Sequence, residues 1–293
     1  MPTAEQGDGR LDLPHFDLQD FVRRVLAEDM GSGGDVTSKS TIAADARFRA
    51  DMNCREPIVV AGLDIAVAFF RALDREVRIT KKAQDGDLIE AGSTLMVLEG
   101  NARAMLAAER SALNTLQHLS GIATLTRKYV DAIAGSGATL LDTRKTVPGL
   151  RLLAKYAARM GGAENHRMRL DDGVLIKDNH VGVAGSVEQA VKAAVDAATG
   201  LQVQVEVDRL DQIEPALAAG ADRLLLDNMK PDLLRKAVQM VGGRVPLEAS
   251  GGVTLDTIGG IAKTGVNYIS VGRITQSAPA VDIALDYVLQ GAP

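Results

Sequence analysis

After Gly137 the sequence alternates between short apolar runs and longer segments with helical spacing. The apolar runs are residues 138–142, 173–176, 203–207, 223–226, 245–249 and 268–271. The helical segments include 185–198, 209–220, 230–241 and 255–265. Near-continuous apolar runs are typical of buried parallel strands, and their alternation with helices indicates βαβ units. Six runs fall short of the eight strands of a complete barrel. The pattern therefore predicts an incomplete or decorated α/β barrel, or an open doubly wound sheet.

The first half of the chain lacks this alternation. Residues 1–12 are polar, and we expect them to be disordered. The remaining segments mix helices with short strands that turns interrupt. We predict a helix over 17–30, a loop over 31–38, strands between 44 and 100 with a helix at 61–73, and a long helix over 102–134 that is interrupted near Gly121.

Composition limits the partners and the compartment. The formal net charge of −5 argues against a nucleic acid or a membrane surface as partner, because both attract a basic field. The single cysteine, Cys54, excludes an intrachain disulfide and lies in an apolar context that favours a small core residue. No apolar run approaches the ~18 residues of a membrane span, and the N-terminus shows no signal peptide. We therefore expect a soluble, cytoplasmic protein.

Each apolar run is followed by charged residues or by a glycine-rich turn. These strand ends are Asp142-Thr143-Arg144-Lys145, Lys177-Asp178-Asn179-His180, Glu206, Asp227-Asn228, Ser250-Gly251-Gly252 and Gly272-Arg273. Parallel α/β folds place their ligand sites at the carboxyl ends of the strands. A polar residue at one strand end is commonplace, but the repetition at every end predicts one shared site.

Basic residues dominate the first part of this predicted site. Residues 140–180 contain eight arginines and lysines against five acids. We expect Arg151, Lys155 and Arg159 to form the solvated face of a helix, because they are spaced four residues apart. The others of interest, Arg144, Lys145, Arg167 and Lys177, lie in or beside strand-end loops. Arginine forks and lysine ammonium groups in such a cluster suit a ligand with several negative charges.

The later strand ends carry a different chemistry. Glu206 and Asp227 can hold sugar hydroxyls or Mg²⁺, or they can form salt bridges with the basic cluster. The turn Ser250-Gly251-Gly252 precedes a helix predicted to begin near Leu255, which is the arrangement of a phosphate cradle. The order of residues thus predicts carboxylate, hydroxyl or metal, and phosphate binding from one end of the site to the other.

Several segments resemble the quinolinate phosphoribosyltransferase family. They are ERSALNTLQHLSGIAT (109–124), LDTRKTVPGLR (141–151), GGAENHRMRLDDGVLIKDNH (161–180), VEVD (205–208), LLLDNM (224–229), EASGGV (248–253) and VGRITQSAPAVDIALD (271–286). The resemblance implies an incomplete α/β barrel over 116–279 and an N-terminal α/β sandwich domain over 13–115. It also implies that a C-terminal helix, within 280–293, joins the sandwich domain.

The resemblance further implies the reaction. Quinolinate and phosphoribosyl pyrophosphate would yield nicotinate mononucleotide, pyrophosphate and CO₂, with Mg²⁺ as cofactor, in the de novo synthesis of NAD. No side-chain nucleophile is needed for this chemistry. The chain shows no convincing Ser-His-Asp or Cys-His arrangement that would supply one.

The family's site residues transfer onto matching positions of this chain. Those implied around the pyridine dicarboxylate are Thr143, Arg144, Lys145, His166, Arg167 and Lys177. Arg110 would complete this pocket from a neighbouring subunit, which implies a homodimer with shared sites and leaves a hexamer open. Glu206 and Asp227 would face the ribose and the Mg²⁺-bound pyrophosphate, and with Lys145 they are the expected catalytic residues. The 5′-phosphate would contact Ser250, Gly251, Gly252, Gly272, Arg273 and Ile274.

Two departures and three alternatives remain. Many members of the family carry His where this chain has Gln276, and a small residue where it has Arg273. One alternative is a paralogue associated with molybdenum transport that has a different substrate. A lyase that uses Lys145 or Lys177 as a Schiff-base amine is the second. The third is a non-catalytic binder of acidic metabolites, for which Glu206, Asp227 and the glycine loop would be superfluous.

Overall fold

A computed structural model describes residues 13–288 of the chain. The predicted tail at 1–12 and the end of the predicted C-terminal helix lie outside the described residues. The chain divides into two compact units. The described part of the first comprises 13–125, Leu152–Gly161 and 278–288, and the second comprises Thr126–Arg151 and Gly162–Ser277.

The described residues form mixed α/β structure. The strands are β1 (Arg47–Cys54), β2 (Ile58–Val59), β3 (Arg78–Lys81), β4 (Leu88–Ile89), β5 (Thr94–Asn101), β6 (Thr139–Leu141), β7 (Val174–Ile176), β8 (Val203–Val207), β9 (Arg223–Asp227), β10 (Leu247–Ser250), β11 (Tyr268–Ser270) and β12 (Ile283–Tyr287). The α-helices are α1 (Leu18–Met30), α2 (Val36–Thr41), α3 (Leu63–Leu73), α4 (Ala102–Ala132), α5 (Arg151–Met160), α6 (Asp178–Ala184), α7 (Val187–Asp196), α8 (Ile213–Ala218), α9 (Pro231–Val241), α10 (Leu255–Ala262) and α11 (Arg273–Gln276). A 3-10 turn at Leu210–Gln212 precedes α8.

The first unit is built on an antiparallel sheet with the strand order β12-β1-β5-β3. The end of β1 is buried at alternate positions, as expected of a strand with one face in the core. Helix α3 packs with α1 on apolar residues that include Phe21 and Phe69, whose rings meet edge to face. Cys54 at the end of β1 is fully buried, which confirms that it is a core residue.

The predicted C-terminal helix is wrong over the part that the structure describes. Ile283–Tyr287 form strand β12, which pairs with β1 in the register Cys54↔Ile283 to Ala50↔Tyr287. The alanine and leucine of this segment are compatible with a helix. The backbone hydrogen bonds that β12 forms with the free edge of β1 and the burial of Ile283 outweigh that local preference. The segment nevertheless belongs to the first unit.

Helix α4 is continuous where an interruption was predicted. Gly121 lies in the middle of the helix, and a Cβ atom there would lie 2.1 Å from the carbonyl oxygen of Pro279. The glycine therefore permits a close approach of two backbones within the first unit and does not end the helix.

Two smaller predictions are also wrong. Helix α2 begins at Val36, inside the segment predicted as a loop, because the Asp35 carboxylate accepts a hydrogen bond from the backbone of Ser38 at 2.9 Å. The basic residues of α5 do not form a solvated face, since Lys155 is fully buried. Residues Leu153 to Ala158 are all buried, so this part of the helix is packed on every side. The four-residue spacing of its basic residues therefore does not indicate a solvent-exposed face.

The second unit contains a six-stranded parallel sheet in the order β6-β11-β10-β9-β8-β7. Every predicted apolar run is one of these strands. From β7 to β11 each strand pairs with its successor in sequence, and β6 then joins β11. A doubly wound sheet would reverse direction at a switch point, whereas this order turns one way only. The unit is thus an incomplete α/β barrel whose open edges are β6 and β7.

Across residues 13–288, helices are either too short or too polar to cross a bilayer.

The contact at Gly121 leads to a stability prediction. Replacing a helical glycine by alanine normally stabilises a helix by about 1 kcal/mol. We expect Gly121→Ala instead to lower the free energy of unfolding by about 1–3 kcal/mol, because its methyl group must displace Pro279. Gly260→Ala is the control, since a Cβ at that helical position meets nothing within 4 Å. Urea denaturation compares the two variants, and a Gly121→Ala protein as stable as wild type contradicts the prediction.

Candidate active site

A cavity of about 780 Å³ opens at the carboxyl ends of the barrel strands. All of its lining residues belong to the second unit. They include the predicted residues Thr143, Arg144, Lys145, His166, Arg167, Lys177, Glu206, Asp227, Ser250, Gly251, Gly252, Gly272 and Arg273. The structure therefore brings together residues that are up to 130 positions apart in sequence, counted from Thr143 to Arg273.

The basic side of the cavity is organised by a buried carboxylate. Asp142 has no exposed surface, and it accepts hydrogen bonds from Asn165 Nδ2 at 2.6 Å and from the backbone of His166 at 2.8 Å. A short parallel bridge between Leu141 and Glu164 adds backbone pairing at the same place. The loop that carries His166 and Arg167 is thereby held against the end of β6, where Arg144 begins the next loop.

The two arginines of this side have an electrostatic conflict. Burial lowers the pKa of Arg167, and the positive charge of Arg144 lowers that pKa further. Arg167 donates from Nη1 to the carbonyl oxygen of Gly173 at 2.8 Å. Arg144 Nε is buried and has no hydrogen-bond partner among residues 13–288. An anionic ligand between the two groups would relieve their repulsion and satisfy that donor.

Lys177 is presented by the start of α6. Its backbone N–H donates to His180 Nδ1 at 2.9 Å, so His180 caps the turn that carries the lysine. The Lys177 and Lys145 side chains are both exposed. Lys145 is held through its backbone, which donates to Thr143 Oγ1 at 3.0 Å and accepts from Thr275 Oγ1 at 2.8 Å.

The acidic part of the cavity lies on β8 and β9. The pKa of Glu206 is raised, first by burial and then by the negative charge of Asp227, although Lys177 opposes this. Asp227 accepts a hydrogen bond from Asn228 Nδ2 at 2.5 Å. The described residues contain no cluster of three or more His, Cys, Asp or Glu that could hold a metal by themselves. Two carboxylates that repel each other still suit a cation that draws its remaining ligands from a phosphorylated substrate and water.

The glycine loops of β10 and β11 form the other end. Gly251 has φ +92, and a Cβ there would lie 2.2 Å from Asn228 Oδ1. Asn228 itself is left-handed, at φ +56, and donates its backbone N–H to the carbonyl oxygen of Ser250 at 2.9 Å. The loop runs into α10, whose first N–H groups are candidates for holding a phosphate. Gly272 leaves room for Lys145, because its Cβ would lie 2.7 Å from Lys145 Cδ.

Two predicted residues do not line the cavity. Arg110 is exposed on α4 in the first unit. Ile274 is completely buried, so its side chain is a core residue, and any phosphate contact would have to come from its backbone. Gln276, to which no role was assigned, does line the cavity beside Arg273.

Sequence reasoning missed one polar residue of the site and assigned no role to a second. Glu248 lies within strand β10 and reads as part of an apolar run, yet it lines the cavity with no exposed surface. Asn228 reads as an ordinary strand-end residue, and only its left-handed backbone and its contact with Asp227 reveal it. An acid inside a run of buried strand residues was the available signal for Glu248, because such residues are seldom buried without partners.

Fold and cavity together define an α/β-barrel protein with a cavity that is rich in basic residues at the carboxyl ends of its strands. The profile of the quinolinate phosphoribosyl transferase C-terminal domain matches residues 122–286, and that of the N-terminal domain matches 35–120. The nicotinate-nucleotide pyrophosphorylase (carboxylating) of Mycobacterium leprae is 43% identical over 92% of this chain and 96% of that protein. A protein of Bacillus subtilis described as a probable nicotinate-nucleotide pyrophosphorylase (carboxylating) is 40% identical over 94% and 96%.

A solved structure agrees with these relatives. The nicotinate-nucleotide pyrophosphorylase from Francisella tularensis matches with a TM-score of 0.89 and 42% identity, over 92% of this chain and 96% of that one. The chain belongs to the quinolinate phosphoribosyltransferase family.

The pair Glu206 and Asp227 yields a prediction about ionisation. Because the charge of Asp227 helps to raise the pKa of Glu206, Asp227→Asn should lower that pKa toward the ordinary value for glutamate. Asp232→Asn, which removes an exposed carboxylate paired with Arg235, should leave it unchanged. A carbon-detected NMR titration of the side-chain carboxyls measures both. An unchanged Glu206 titration in Asp227→Asn would show that the two acids do not interact.

Proposed function

We propose that this chain catalyses the condensation of quinolinate with phosphoribosyl pyrophosphate, forming nicotinate mononucleotide, pyrophosphate and CO₂ in NAD biosynthesis. The observation that carries the proposal is that one cavity of a family member contains in succession a basic pocket, two acids and a glycine loop. That order matches an acidic ring compound, a ribose with its pyrophosphate, and a 5′-phosphate.

The basic end accounts for recognition of a dicarboxylate. Arg144, Arg167 and Lys177 supply three cationic side chains to the same part of the cavity. Asp172 offsets part of the repulsion between the two arginines, and a ligand with several negative charges would offset the rest. Quinolinate has two adjacent carboxylates, whereas nicotinate has one and would leave part of this charge uncompensated. Holding both carboxylates also turns the ring nitrogen toward the sugar, which is a positioning effect.

Mg²⁺ fits the acidic part of the cavity. The raised pKa of Glu206 reflects burial and a like charge at Asp227, and a divalent cation beside the two carboxylates would remove that repulsion. When bound, the metal would neutralise the developing charge of the departing pyrophosphate. Glu206 and Asp227 would also accept hydrogen bonds from the ribose hydroxyls.

The phosphate end is the loop from Ser250 to Gly252 with Gly272 and Arg273. Its glycines have no side chain between the backbone N–H groups and the cavity, so a phosphate can approach the backbone closely. Lys145 extends from the neighbouring loop, after β6, past Gly272. It is thus placed to contact an anionic group of the sugar substrate, in keeping with its expected catalytic role.

The reaction requires placement of two substrates more than it requires side-chain chemistry. The ring nitrogen attacks the anomeric carbon, and pyrophosphate leaves. The adjacent carboxylate then leaves as CO₂, the positively charged ring stabilises the electron pair left on the ring carbon, and that carbon takes up a proton from water to give nicotinate mononucleotide. A Schiff-base lyase is disfavoured, since it needs a desolvated lysine and both Lys145 and Lys177 are exposed.

The experiment that tests the function uses the purified full-length chain. With quinolinate, phosphoribosyl pyrophosphate and Mg²⁺ it should release CO₂ and nicotinate mononucleotide in equal amounts. Nicotinate in place of quinolinate should give no product. Absence of both products from folded protein would refute the proposal and favour the paralogue with another substrate.

Arg144→Ala is the site control in that assay. Loss of one charged fork should raise the KM for quinolinate by about tenfold or more. The KM for phosphoribosyl pyrophosphate should change by less than about threefold, because Arg144 lies in the carboxylate part of the cavity. Equal increases in both KM values would contradict this assignment of the basic end.

We further propose a homodimer in which Arg110 of one subunit completes the cavity of the other. Arg110 is an exposed cation on the first unit, and its segment matches the family motif. The test of this shared site does not depend on whether the assembly is a dimer or a hexamer. We also propose that the enzyme is cytoplasmic.

Subunit mixing tests the shared site. Arg110→Ala and Lys145→Ala should each be inactive alone. After exchange, a mixed dimer should have about half of wild-type activity, because one of its two sites carries neither substitution. An equimolar mixture, in which about half of the dimers are mixed, should therefore regain up to about one quarter. Mixing two batches of the same variant is the control. Failure of the mixture to regain activity, with heterodimers demonstrated by mass spectrometry, would place Arg110 outside the neighbouring site.

A further inference from the structure

A charged network lies beneath the basic end of the cavity, and the proposed function does not use it. Glu248 of β10 has no exposed surface. Its Oε2 lies 2.8 Å from Arg223 Nη2 of β9, and the Arg223 guanidinium lies over the ring of Tyr268 of β11 at 3.9 Å. Three neighbouring strands thus each contribute one member of the network.

Two further side chains converge on the same oxygen. Gln204 Nε2 donates to Glu248 Oε2 at 2.8 Å, and His166 Nε2 lies 3.5 Å from it. Burial alone would raise the pKa of Glu248, but His166, Arg223 and Gln204 outweigh burial and lower it. Glu248 is therefore an ionised carboxylate at the floor of a cavity that we assign to an anionic ligand.

His166 connects this carboxylate to the substrate-binding arginine. Its Nδ1 accepts a hydrogen bond from the backbone N–H of Arg167 at 2.8 Å. A ring nitrogen that accepts in this way carries no proton, so the hydrogen-bond pattern assigns the proton of the neutral ring to Nε2, on the side of Glu248. The imidazole is held from both sides, with Glu248 at one nitrogen and the Arg167 backbone at the other.

We propose that Glu248 is a positioning residue for the dicarboxylate pocket. It orients His166 and selects the Nε2–H tautomer, and His166 in turn fixes the backbone from which Arg167 reaches the ligand. Arg223 and Gln204 keep the Glu248 carboxylate in place. In the protein without substrate, the Nε2 proton of His166 therefore points toward Glu248 and keeps the ring in this orientation. The inference rests on the proposed function, because it assigns the pocket to quinolinate.

The buried charge explains why a polar residue is retained here. An ionised carboxylate in an apolar strand is expensive, and a buried ion pair is often no more stabilising than apolar residues of the same volume. Stability alone would not require Glu248. Support of a ligand-binding side chain through hydrogen bonds commonly governs function by about 10–100-fold in metal sites, and the same logic applies to His166 and Arg167.

The kinetic test uses Glu248→Gln, which keeps the shape and removes the charge. We expect the KM for quinolinate to rise about tenfold, while the KM for phosphoribosyl pyrophosphate changes less than about twofold. Glu214→Gln is the matched control, because it also removes a carboxylate paired with an arginine, Arg244, but on the exposed surface. It should leave both KM values unchanged. A parallel rise of both KM values in Glu248→Gln would overturn the proposal.

A double variant separates positioning from stability. Glu248→Gln leaves Arg223 as an uncompensated buried cation, so the single variant should unfold at a lower temperature. Adding Arg223→Met should recover much of that loss without restoring the KM for quinolinate. If the double variant regains the wild-type KM together with its stability, Glu248 has only a structural role. The comparison also covers the case in which the single variant does not fold.

A spectroscopic measurement without substrate keeps this inference separate from the proposed function. Long-range ¹H–¹⁵N spectra of the histidine rings should show His166 with a protonated Nε2 and an unprotonated Nδ1 in the wild-type protein. In Glu248→Gln the His166 signals should shift or the tautomer should mix. A wild-type ring protonated at Nδ1 would overturn the proposal. A wild type with the expected tautomer but no turnover of quinolinate would refute the function and leave the network intact.

Discussion

The buried carboxylate of Asp142 is the interaction on which the candidate site depends. The barrel is open between β6 and β7, so no ladder of backbone hydrogen bonds holds these edges in register. Asp142 lies at the end of β6 and binds the Asn165 side chain and the His166 backbone, while the adjacent Leu141 bridges to Glu164. A loop thus replaces the missing strands. Arg144 and Arg167 come into the same cavity because this loop is fixed, and a barrel closed by further strands would separate them.

Like charges are grouped together in the cavity, which lowers local stability. Arg144 lowers the pKa of Arg167, and Asp227 raises that of Glu206, so like charges are neighbours at both places. A chain selected for stability alone would interleave them. The proposed substrates have complementary charges, with carboxylates beside the arginines and a cation-bound pyrophosphate beside the two acids. The protein has a net charge of −5, and yet Arg144, Lys145, Arg167 and Lys177 all line one cavity.

Local pattern was enough to predict the parallel strands of the second unit, but it left a barrel and a doubly wound sheet open and did not reveal the exceptions. Strands β8, β9 and β10 are largely buried on both faces, so their residues form apolar runs that can be recognised without knowledge of the partner strand. By contrast, β12, Lys155 and Gly121 depend on contacts far away in sequence: pairing with β1, packing around α5, and the approach of Pro279. The same holds for the site. Thr143 to Lys145 stand out at a strand end, whereas Glu248 lies inside a strand, and its partners Arg223 and His166 are known only from the fold.

Backbone strain joins the acidic part of the cavity to its phosphate loop. Asn228 adopts a left-handed conformation that non-glycine residues seldom occupy, which commonly costs about 1–3 kcal/mol. In that conformation its side chain binds Asp227 and its backbone binds Ser250, and Gly251 leaves the space that the Asn228 amide fills. Asp227 and the loop therefore cannot move independently. If Asp227 holds the ribose hydroxyls and the loop holds the 5′-phosphate, the anomeric carbon is fixed relative to the ring nitrogen of quinolinate. Because a small error in that relation slows the reaction strongly, a strained but rigid connection is favourable where a relaxed and mobile one would not be.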